Sequence, residues 1–291
     1  MSELLYESRI ETLPLAFRGK VRDVYDLGDA LLIVTSDRLS AFDVVLPTPI
    51  PDKGHVLSSL SRFWFERTAH ITKNHLLDRR LEDVVPAAWV ERLRGRSQIV
   101  RKAKPLPVEA VVRGYLVGSG WEEYRRSGTV CGQRLPEGLR QADKLPAAIF
   151  TPSTKAPIGQ HDQNIPFEVA ATLVGRNVAL LAREMSLELY TRGAEMAAAN
   201  GIIIADTKFE LGFIEGELVV ADEVMTPDSS RFWPRSEYRT GISPPSFDKQ
   251  YVRDYLTGIG WNKEPPAPEL PADVVQKTSE KYREALRRLT E

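Results

Sequence analysis

The sequence predicts an α+β protein in which antiparallel strands and helices are mixed. Three observations support this: the first third is rich in strand patterns, residues 167–200 have helical spacing, and residues 201–223 resemble a hairpin. Strands and helices do not alternate regularly along the chain. Because a doubly wound parallel sheet requires such βαβ alternation, the order of the elements argues against one.

The N-terminal elements are predicted mainly from alternation and turn residues. Residues 20–27, a Gly28-Asp29 turn and residues 30–35 predict a hairpin, and residues 44–46 predict a further short strand. Helical spacing of apolar residues predicts a helix over 57–68. Residues 97–103 and 108–112 are predicted strands, and the proline-bearing bend between them is the expected boundary between two lobes.

The rest of the chain is predicted to be more helical. A helix is expected over 119–126, followed by a long loop over 127–164 that is rich in glycine, proline and polar residues. Residues 167–200 predict a long helix with a break at Gly175. Residues 234–246 look irregular, and residues 248–257 and 272–289 are predicted helices.

Composition excludes several classes of protein. The 291 residues carry a formal net charge of −1, which gives no basic excess for binding nucleic acid or an anionic membrane. The single cysteine, Cys131, cannot form an intrachain disulfide. No basic–apolar signal peptide is present, and no apolar run approaches the roughly 20 residues that span a bilayer. We therefore expect a soluble, cytoplasmic protein.

The predicted hairpin over 201–223 concentrates charge on one face. Strand alternation places Asp206, Lys208 and Glu210 on the same side. If residues 215–217 form the loop, Glu210 lies directly across from Asp222, where two carboxylates would repel each other. A divalent cation would reverse that repulsion, and Mg²⁺ carrying nucleotide phosphates is the natural candidate. An exposed hairpin with solvated charges explains these residues equally well.

Other polar clusters occur near predicted strand ends. Arg113 precedes Gly118-Ser119-Gly120 at a predicted helix start, which favours phosphate binding over a simple helix start. Arg18-Gly19-Lys20 precedes the first hairpin, and a phosphate contact and an exposed strand start are equally good explanations there. The P-loop, G-x-G-x-x-G, H-E-x-x-H and G-x-S-x-G patterns are all absent from the sequence.

Taken in order, these clusters resemble one family closely. The similar segments are GKVRDVYDL, TSDRLSAFDVVLP, DKG, VEAVVRGYLVGSG, GQHDQN, IADTKFELGF and LVVADEVMTPDSSRFW. They resemble the phosphoribosylaminoimidazole-succinocarboxamide synthase (SAICAR synthetase) family of purine biosynthesis, from about residue 15 to residue 260.

The resemblance implies a two-lobed fold and an ATP- and Mg-dependent ligase. Residues 1–104 would form an antiparallel lobe like a kinase small lobe, covering ATP. Residues 105–291 would form a larger α+β lobe related to ATP-grasp enzymes, including the metal hairpin and the C-terminal helices. The substrates would be a carboxyaminoimidazole ribonucleotide and L-aspartate, joined through an acyl phosphate. No nucleic-acid or membrane partner is implied, and the choice between monomer and homo-oligomer stays open.

The resemblance also implies roles for individual residues. Lys208 and Asp206 would be catalytic, Glu210 and Asp222 would hold Mg²⁺, and Gly19, Lys20, Glu109 and Lys208 would contact ATP. The implied substrate-binding residues are Arg113, Ser119, Arg231, Ser36, Asp37, Lys155, His161 and Asp162.

Two other functions remain possible from the residues. A small-molecule kinase would use the same metal hairpin to phosphorylate a hydroxyl, without aspartate. A regulatory module would bind nucleotide without turnover, although Glu210, Asp222 and Lys208 argue against that alternative.

Overall fold

A computed structural model describes residues 3–155, 162–247 and 249–291. Its helices are α1 (Lys53–Arg67), α2 (Ala87–Leu93), α3 (Gly118–Ser127), α4 (Phe167–Val174), α5 (Arg176–Ala199), α6 (Gln250–Gly258) and α7 (Ala272–Thr290). Short 3₁₀ turns occupy Leu81–Asp83 and Arg235–Glu237. None of these described helices combines the length and apolar character needed to cross a bilayer.

The strands are numbered in chain order. They are β1 (Leu15–Arg18), β2 (Arg22–Asp26), β3 (Ala30–Thr35), β4 (Ser40–Ala41), β5 (Val44–Val45), β6 (Ser97–Arg101), β7 (Lys104–Pro105), β8 (Val108–Tyr115), β9 (Thr129–Val130), β10 (Gln133–Arg134), β11 (Lys144–Phe150), β12 (Ser153–Thr154), β13 (Ile202–Ile214), β14 (Glu217–Ala221) and β15 (Ser230–Pro234).

The chain divides into two compact units. The first contains Met1–Phe63, His75–Ala103 and Phe247–Glu291, and the second contains Trp64–Asn74 and Lys104–Ser246. The sequence-based division differs, because it grouped the C-terminal helices with residues 105–246.

Contacts between residues far apart in sequence explain this difference. The backbone N–H of Leu270 donates to Thr48 Oγ1 at 3.0 Å, and Ser279 Oγ of α7 donates to the carbonyl of Pro51 at 2.7 Å. The Lys53 ammonium lies 5.8 Å from the centre of the buried Tyr282 ring. Residues 270–282 therefore pack with residues 48–53, and no local sequence pattern reports such contacts.

The first unit is built on a four-stranded antiparallel sheet in the order β1-β2-β3-β6. The sequence of β3 is almost entirely apolar, and its Leu32 and Val34 are fully buried in a core with Tyr25 and Ile99. The connection between β1 and β2 carries Gly19 and Lys20. β1 itself was not predicted, because Leu15–Arg18 is exposed and lacks the alternation of a half-buried strand.

The second unit is built on a seven-stranded sheet around β13. Its path is β11-β8-β13-β14, with β12 paired to β8 and both β7 and β15 paired to β13. Residues 202–207 are buried on both faces of the sheet, so Asp206 of the predicted polar face is buried, whereas Lys208 and Glu210 are partly exposed. The α+β class is confirmed, and so is the break at Gly175 between α4 and α5.

The hairpin of β13 and β14 differs from its prediction by one residue. Ile214 pairs with Glu217, so the turn contains only Glu215 and Gly216, with φ values of 52° and 82°. Such left-handed pairs form the tight turns that suit strand twist. Glu210 consequently lies across from Ala221, not Asp222. Asp222 follows the strand with a φ of 63°.

The described residues between 127 and 155 contain more regular structure than the predicted loop. They contain β9, β10, β11 and β12, and β11 pairs with β8 through Ile149 and Phe150. Pro146 lies inside β11 at an interruption of the ladder register, which is why the strand pattern was not recognised.

Candidate active site

A buried carboxylate holds two arginines in the second unit. Asp206 of β13 lies directly across from Arg113 of β8, and Arg113 Nη1 donates to Asp206 Oδ2 at 2.8 Å. Arg231 Nη1, from β15, donates to the same oxygen. Two guanidinium groups share one carboxylate, so this group of three residues, the arginine cluster, carries net positive charge. The sequence suggested that Asp206 acts with Lys208, whereas these bonds place it with the arginines.

Arg113 has most of its donors occupied by protein groups. Its Nε donates to Thr151 Oγ1 at 3.0 Å, its Nη1 to the Val117 carbonyl at 3.3 Å, and its Nη2 to Ser119 Oγ at 2.9 Å. Burial lowers the pKa of Arg113, although Asp206 opposes that shift. The Arg113 side chain is 5% exposed, against 26% for Arg231. Arg231 is therefore the arginine more accessible to a ligand.

The N-terminus of α3 lies against Arg231. Gly118 opens the helix with a φ of 57°, and a Cβ at this position would stand 2.4 Å from Arg231 Nη2. Glycine is required both for the backbone conformation and for this close approach. The first turn of a helix presents unpaired N–H groups. Together with Ser119 and the arginine cluster, they can bind a phosphate.

Asn164 and Glu123 extend the arginine cluster through hydrogen bonds, and neither was given a binding role from the sequence. Ser119 Oγ donates to Asn164 Oδ1 at 3.3 Å, and Asn164 Nδ2 donates to Glu123 Oε2 at 2.9 Å. Glu123 Oε1 also accepts from the backbone N–H of Cys131 at 2.7 Å. Asn164 belongs to the quoted GQHDQN segment, so that segment was the available signal.

A lysine–carboxylate cluster is formed by Lys208, Glu210, Glu109 and Lys155 in the same unit. The ammonium of Lys208 donates to Glu109 Oε1 and lies 3.7 Å from Glu210 Oε1. Lys155 Nζ is 2.6 Å from Glu210 Oε2. Glu109 also accepts from Ser153 Oγ at 3.0 Å. The structure thus brings together four predicted site residues from β8, β13 and the residue that follows β12.

Neighbouring carboxylates and burial shift the pKa values of two groups in the lysine–carboxylate cluster. Burial opposes the charge on Lys208, but Glu109 and Glu210 outweigh it and raise the pKa of its ammonium. Burial raises the pKa of Glu109, with repulsion from Glu210 and Asp162 adding to the shift. The neighbouring carboxylates account for the direction at Lys208, and burial is the main cause of the direction at Glu109.

Magnesium fits this donor set in one particular way. In the part of the chain that the structure describes, no group of three or more His, Cys, Asp or Glu residues could hold a metal ion. Mg²⁺ commonly takes only one or two carboxylates and leaves its other positions to phosphate and water. The two predicted metal ligands, Glu210 on β13 and Asp222 just after β14, would supply two carboxylates, and that role stays a prediction.

The predicted residues of the first unit have different surroundings. Lys20 forms an exposed ion pair with Asp43. Asp37 is fully buried and accepts from Arg96 Nη1 at 2.7 Å and from the Gly54 N–H at 2.9 Å.

Ser36 is also fully buried, and its Oγ donates to the Val21 carbonyl at 2.9 Å. Ser36 and Asp37 are thus bonded to protein groups in this structure, and their role at a substrate stays a prediction.

Two further predicted substrate residues lie on either side of residues 156–161. Lys155 is half-buried and Asp162 is exposed. His161 lies outside the described residues.

Fold and site together define a class of protein. It is an α+β protein with two charged clusters built mainly on β8 and β13, an arginine cluster at a helix start and a lysine–carboxylate cluster. Comparison with known proteins narrows that class.

A SAICAR synthetase family model matches residues 15–268. A phosphoribosylaminoimidazole-succinocarboxamide synthase from Thioalkalivibrio sulfidiphilus is 60% identical over 100% of this chain and 99% of its own. The solved SAICAR-synthase of Saccharomyces cerevisiae complexed with SAICAR is 42% identical, with a TM-score of 0.90 over 98% of each chain. A type-2 SAICAR synthetase in complex with ADP is 25% identical, with a TM-score of 0.69 over 94% of this chain and 97% of its own.

The chain therefore belongs to the SAICAR synthetase family. The family resemblance noted from the sequence motifs is confirmed. The roles of the individual site residues stay predictions.

Proposed function

We propose that this protein is an ATP-dependent ligase of purine biosynthesis. It condenses 5-amino-1-(5-phosphoribosyl)imidazole-4-carboxylate with L-aspartate and releases SAICAR, ADP and phosphate. The observation that carries the proposal is the arginine cluster at the start of α3, beside the lysine–carboxylate cluster on the same two strands. One cluster suits the phosphate of a ribonucleotide, and the other suits the phosphates of a metal-bound nucleotide.

The reaction proceeds in two balanced steps. The imidazole carboxylate oxygen attacks the γ-phosphorus of ATP, the bond to the β-phosphate oxygen breaks, and ADP leaves. The aspartate amine then attacks the acyl carbon, phosphate leaves with the C–O bond electrons, and the nitrogen loses its proton. Neither step needs a nucleophilic side chain, because phosphoryl transfer depends mainly on positioning and charge neutralisation.

The residues of this chain perform that positioning. Arg231, Ser119 and the α3 N-terminus bind the 5′-phosphate, and Asp206 holds Arg231 and Arg113 in place. Lys208 stays protonated because its pKa is raised, so it can neutralise phosphate charge throughout the physiological pH range. Gly19 and Lys20 of the first unit are proposed to contact ATP.

Glu210 and Asp222 would hold Mg²⁺, which would supply charge neutralisation at the ATP phosphates when bound. Glu109, as a neighbour of Lys208, is positioned to contact the ribose of ATP. Lys155, Asp162 and His161 are proposed to contact the imidazole and aspartate substrates. The protein is proposed to act in the cytoplasm.

The activity is tested by omitting one reactant at a time. With ATP, Mg²⁺, aspartate and the carboxylated ribonucleotide present, we expect stoichiometric release of ADP and phosphate and formation of the succinocarboxamide. Omission of either aspartate or the ribonucleotide should abolish succinocarboxamide formation. A phosphorylated product formed without aspartate would instead indicate a kinase, and no turnover with all reactants would indicate a binding module.

The metal assignment is tested by a pair of variants on the same hairpin. Glu210→Gln removes one proposed Mg²⁺ ligand and should lower kcat by roughly a hundredfold or more, in line with lost charge stabilisation in a phosphoryl-transfer site. Glu217→Gln, which removes an acid paired with Lys73 at the exposed end of the hairpin, is the matched control. Equal activity of both variants would contradict the role of Glu210.

A further inference from the structure

The connection between β1 and β2 is held by a buried arginine outside the clusters described above. Arg38 is only 3% exposed. Its Nε donates to the Lys20 carbonyl at 3.0 Å, and its Nη2 donates to the Gly19 carbonyl at 3.1 Å. Its Nη1 donates to the Tyr6 carbonyl, and Nη2 also donates to Asp23 Oδ1 at 2.8 Å. One guanidinium group therefore fixes two successive peptide units of the loop.

The next two carbonyls of the loop are held as well. The carbonyl of Val21 accepts from the Ser36 N–H at 3.0 Å and from Ser36 Oγ at 2.9 Å. The carbonyl of Arg22 accepts from the Gly19 N–H at 2.7 Å. All four carbonyls from Gly19 to Arg22 thus have protein donors, and Ser36 and Arg38 supply three of the four.

Peptide geometry then fixes where the N–H groups point. In a trans peptide the C=O and the following N–H point in opposite directions. The Gly19 and Lys20 carbonyls point toward Arg38, so the N–H groups of Lys20 and Val21 point away from it. Successive N–H groups on one side of a turn form a concave site for an anion. The same loop carries the exposed Lys20 side chain, whose ammonium pairs with Asp43.

We propose that Arg38 and Ser36 are positioning residues that shape the Gly19–Val21 loop into a binding site for the phosphates of the nucleotide. This inference rests on the proposed function, because that function supplies the nucleotide. The assignment replaces the substrate-lining role first expected for Ser36. It also explains why the hydroxyl and the guanidinium are buried instead of facing a ligand.

An arginine is specifically required at position 38. Its planar fork reaches both loop carbonyls and Asp23 at once, whereas a lysine ammonium is a single point donor on a flexible stem. Asp23 is fully buried and balances the charge of Arg38. Arg38→Lys therefore keeps the charge but loses the geometry that turns the loop.

The test compares Arg38→Lys with a second buried arginine of the same unit. Arg96 is fully buried, pairs with Asp37 at 2.7 Å and bonds His55 at 3.1 Å, so Arg96→Lys is the matched control for general destabilisation. For each full-length variant we would measure the melting temperature, the KM values for ATP and aspartate, and the Kd values for inorganic tripolyphosphate and adenosine.

Arg38→Lys should raise the KM for ATP and the Kd for tripolyphosphate roughly tenfold, the effect of about one charge-assisted hydrogen bond, with adenosine binding and the KM for aspartate unchanged. Arg96→Lys should lower the melting temperature about as much as Arg38→Lys does, but it should change the Kd for tripolyphosphate less than twofold. Ser36→Ala, which keeps the backbone bond to Val21, is a milder variant and should raise the same Kd a few-fold.

Equal effects of Arg38→Lys and Arg96→Lys on tripolyphosphate binding would overturn the inference. An unchanged Kd in both Arg38→Lys and Ser36→Ala would overturn it too, as would a wild-type protein that does not bind tripolyphosphate. Absence of turnover in the wild type would overturn the proposed function alone, because the binding measurements need no turnover.

Discussion

At the scale of single residues, Asp206 determines how the arginine cluster can act. The Asp206 carboxylate neutralises only one of the two guanidinium charges. We therefore expect one positive charge to remain for a dianionic phosphate. A buried charge whose partner is removed is strongly destabilising, so Arg113 is poorly suited to substitution experiments. Arg231 is partly exposed and tests the phosphate role more cleanly.

Arg231→Met should raise the KM for the ribonucleotide by roughly 10- to 100-fold, the loss expected for one or two charge-assisted hydrogen bonds. The KM for ATP should change much less. Steady-state kinetics with each substrate varied separately would measure both values. Arg235→Met removes an exposed arginine just beyond β15 and serves as the control. Equal increases in the two KM values would contradict the phosphate assignment.

Asp23 offers a prediction that depends on pH. Burial opposes its ionisation, but hydrogen bonds from Arg38 and Ser8 lower the pKa of its carboxyl. A lowered pKa means that the ionised form stabilises the fold above the unfolded pKa of about 3.9, and that this contribution is lost as the pH falls through the folded pKa.

Asp23→Asn should therefore cost on the order of 3 kcal/mol of unfolding free energy near neutral pH, because it leaves Arg38 without its buried counter-charge. The difference from wild type should shrink below about pH 4. Urea unfolding at a series of pH values would measure it, with Asp29→Asn at an exposed ion pair as the control. A difference that does not vary with pH would contradict the ionic role.

Residue types were easier to predict from the sequence than their partners. Strand alternation placed Lys208 and Glu210 on one face of their strand, and the Gly-Ser-Gly helix start drew attention to Arg113. The pairing of Arg113 with Asp206 depends on the register of β8 against β13, which joins residues 93 positions apart. Likewise, the burial of Ser36 and Asp37 follows from contacts with residues elsewhere in the chain.

At the scale of elements, the β13–β14 turn sets which side chains face one another. A three-residue loop would place Glu210 opposite Asp222, whereas the observed two-residue turn places it opposite Ala221. Sequence alone could not choose between these turns, because Glu215-Gly216-Glu217 is compatible with both lengths. The two-residue turn gives Glu215 a left-handed φ, which is unfavourable for this residue type, so the residue types did not indicate the shorter turn.

Glu215→Asn should therefore stabilise the protein by roughly 0.5–1 kcal/mol, because Asn-Gly is the preferred pair for this turn. Gly216→Ala should destabilise it by a similar or larger amount, because alanine resists a φ of 82°. Chemical denaturation would measure both changes. Opposite signs support the turn assignment, and stabilisation by Gly216→Ala would contradict it. Since Glu210 is five residues from Glu215, kcat should stay unchanged in both variants.

At the scale of the whole molecule, the C-terminal residues belong to the unit that contains the N-terminus. α7 presents Tyr282 to the fully buried ammonium of Lys53, and Ser279 bonds the carbonyl of Pro51. The amphipathic pattern of α7 predicted the helix correctly but not the surface that it covers. If these contacts join α7 to the first unit, α7 should unfold together with that unit's sheet.

Tyr282→Leu tests this cooperativity, because it removes the buried ring beneath Lys53 and should cost roughly 2–3 kcal/mol. Native-state hydrogen exchange should become faster at amides of α7, β2 and β3, while amides of β8 and β13 in the second unit keep their protection. Glu280→Gln, at an exposed position of the same helix, should change neither set. Equally faster hydrogen exchange at amides of β3 and β13 would mean that the two units unfold as one. Faster exchange confined to amides of α7 would mean that the helix unfolds separately from the first unit. The expected pattern makes α7 a stabilising part of the unit that carries Arg38 and the Gly19–Val21 loop.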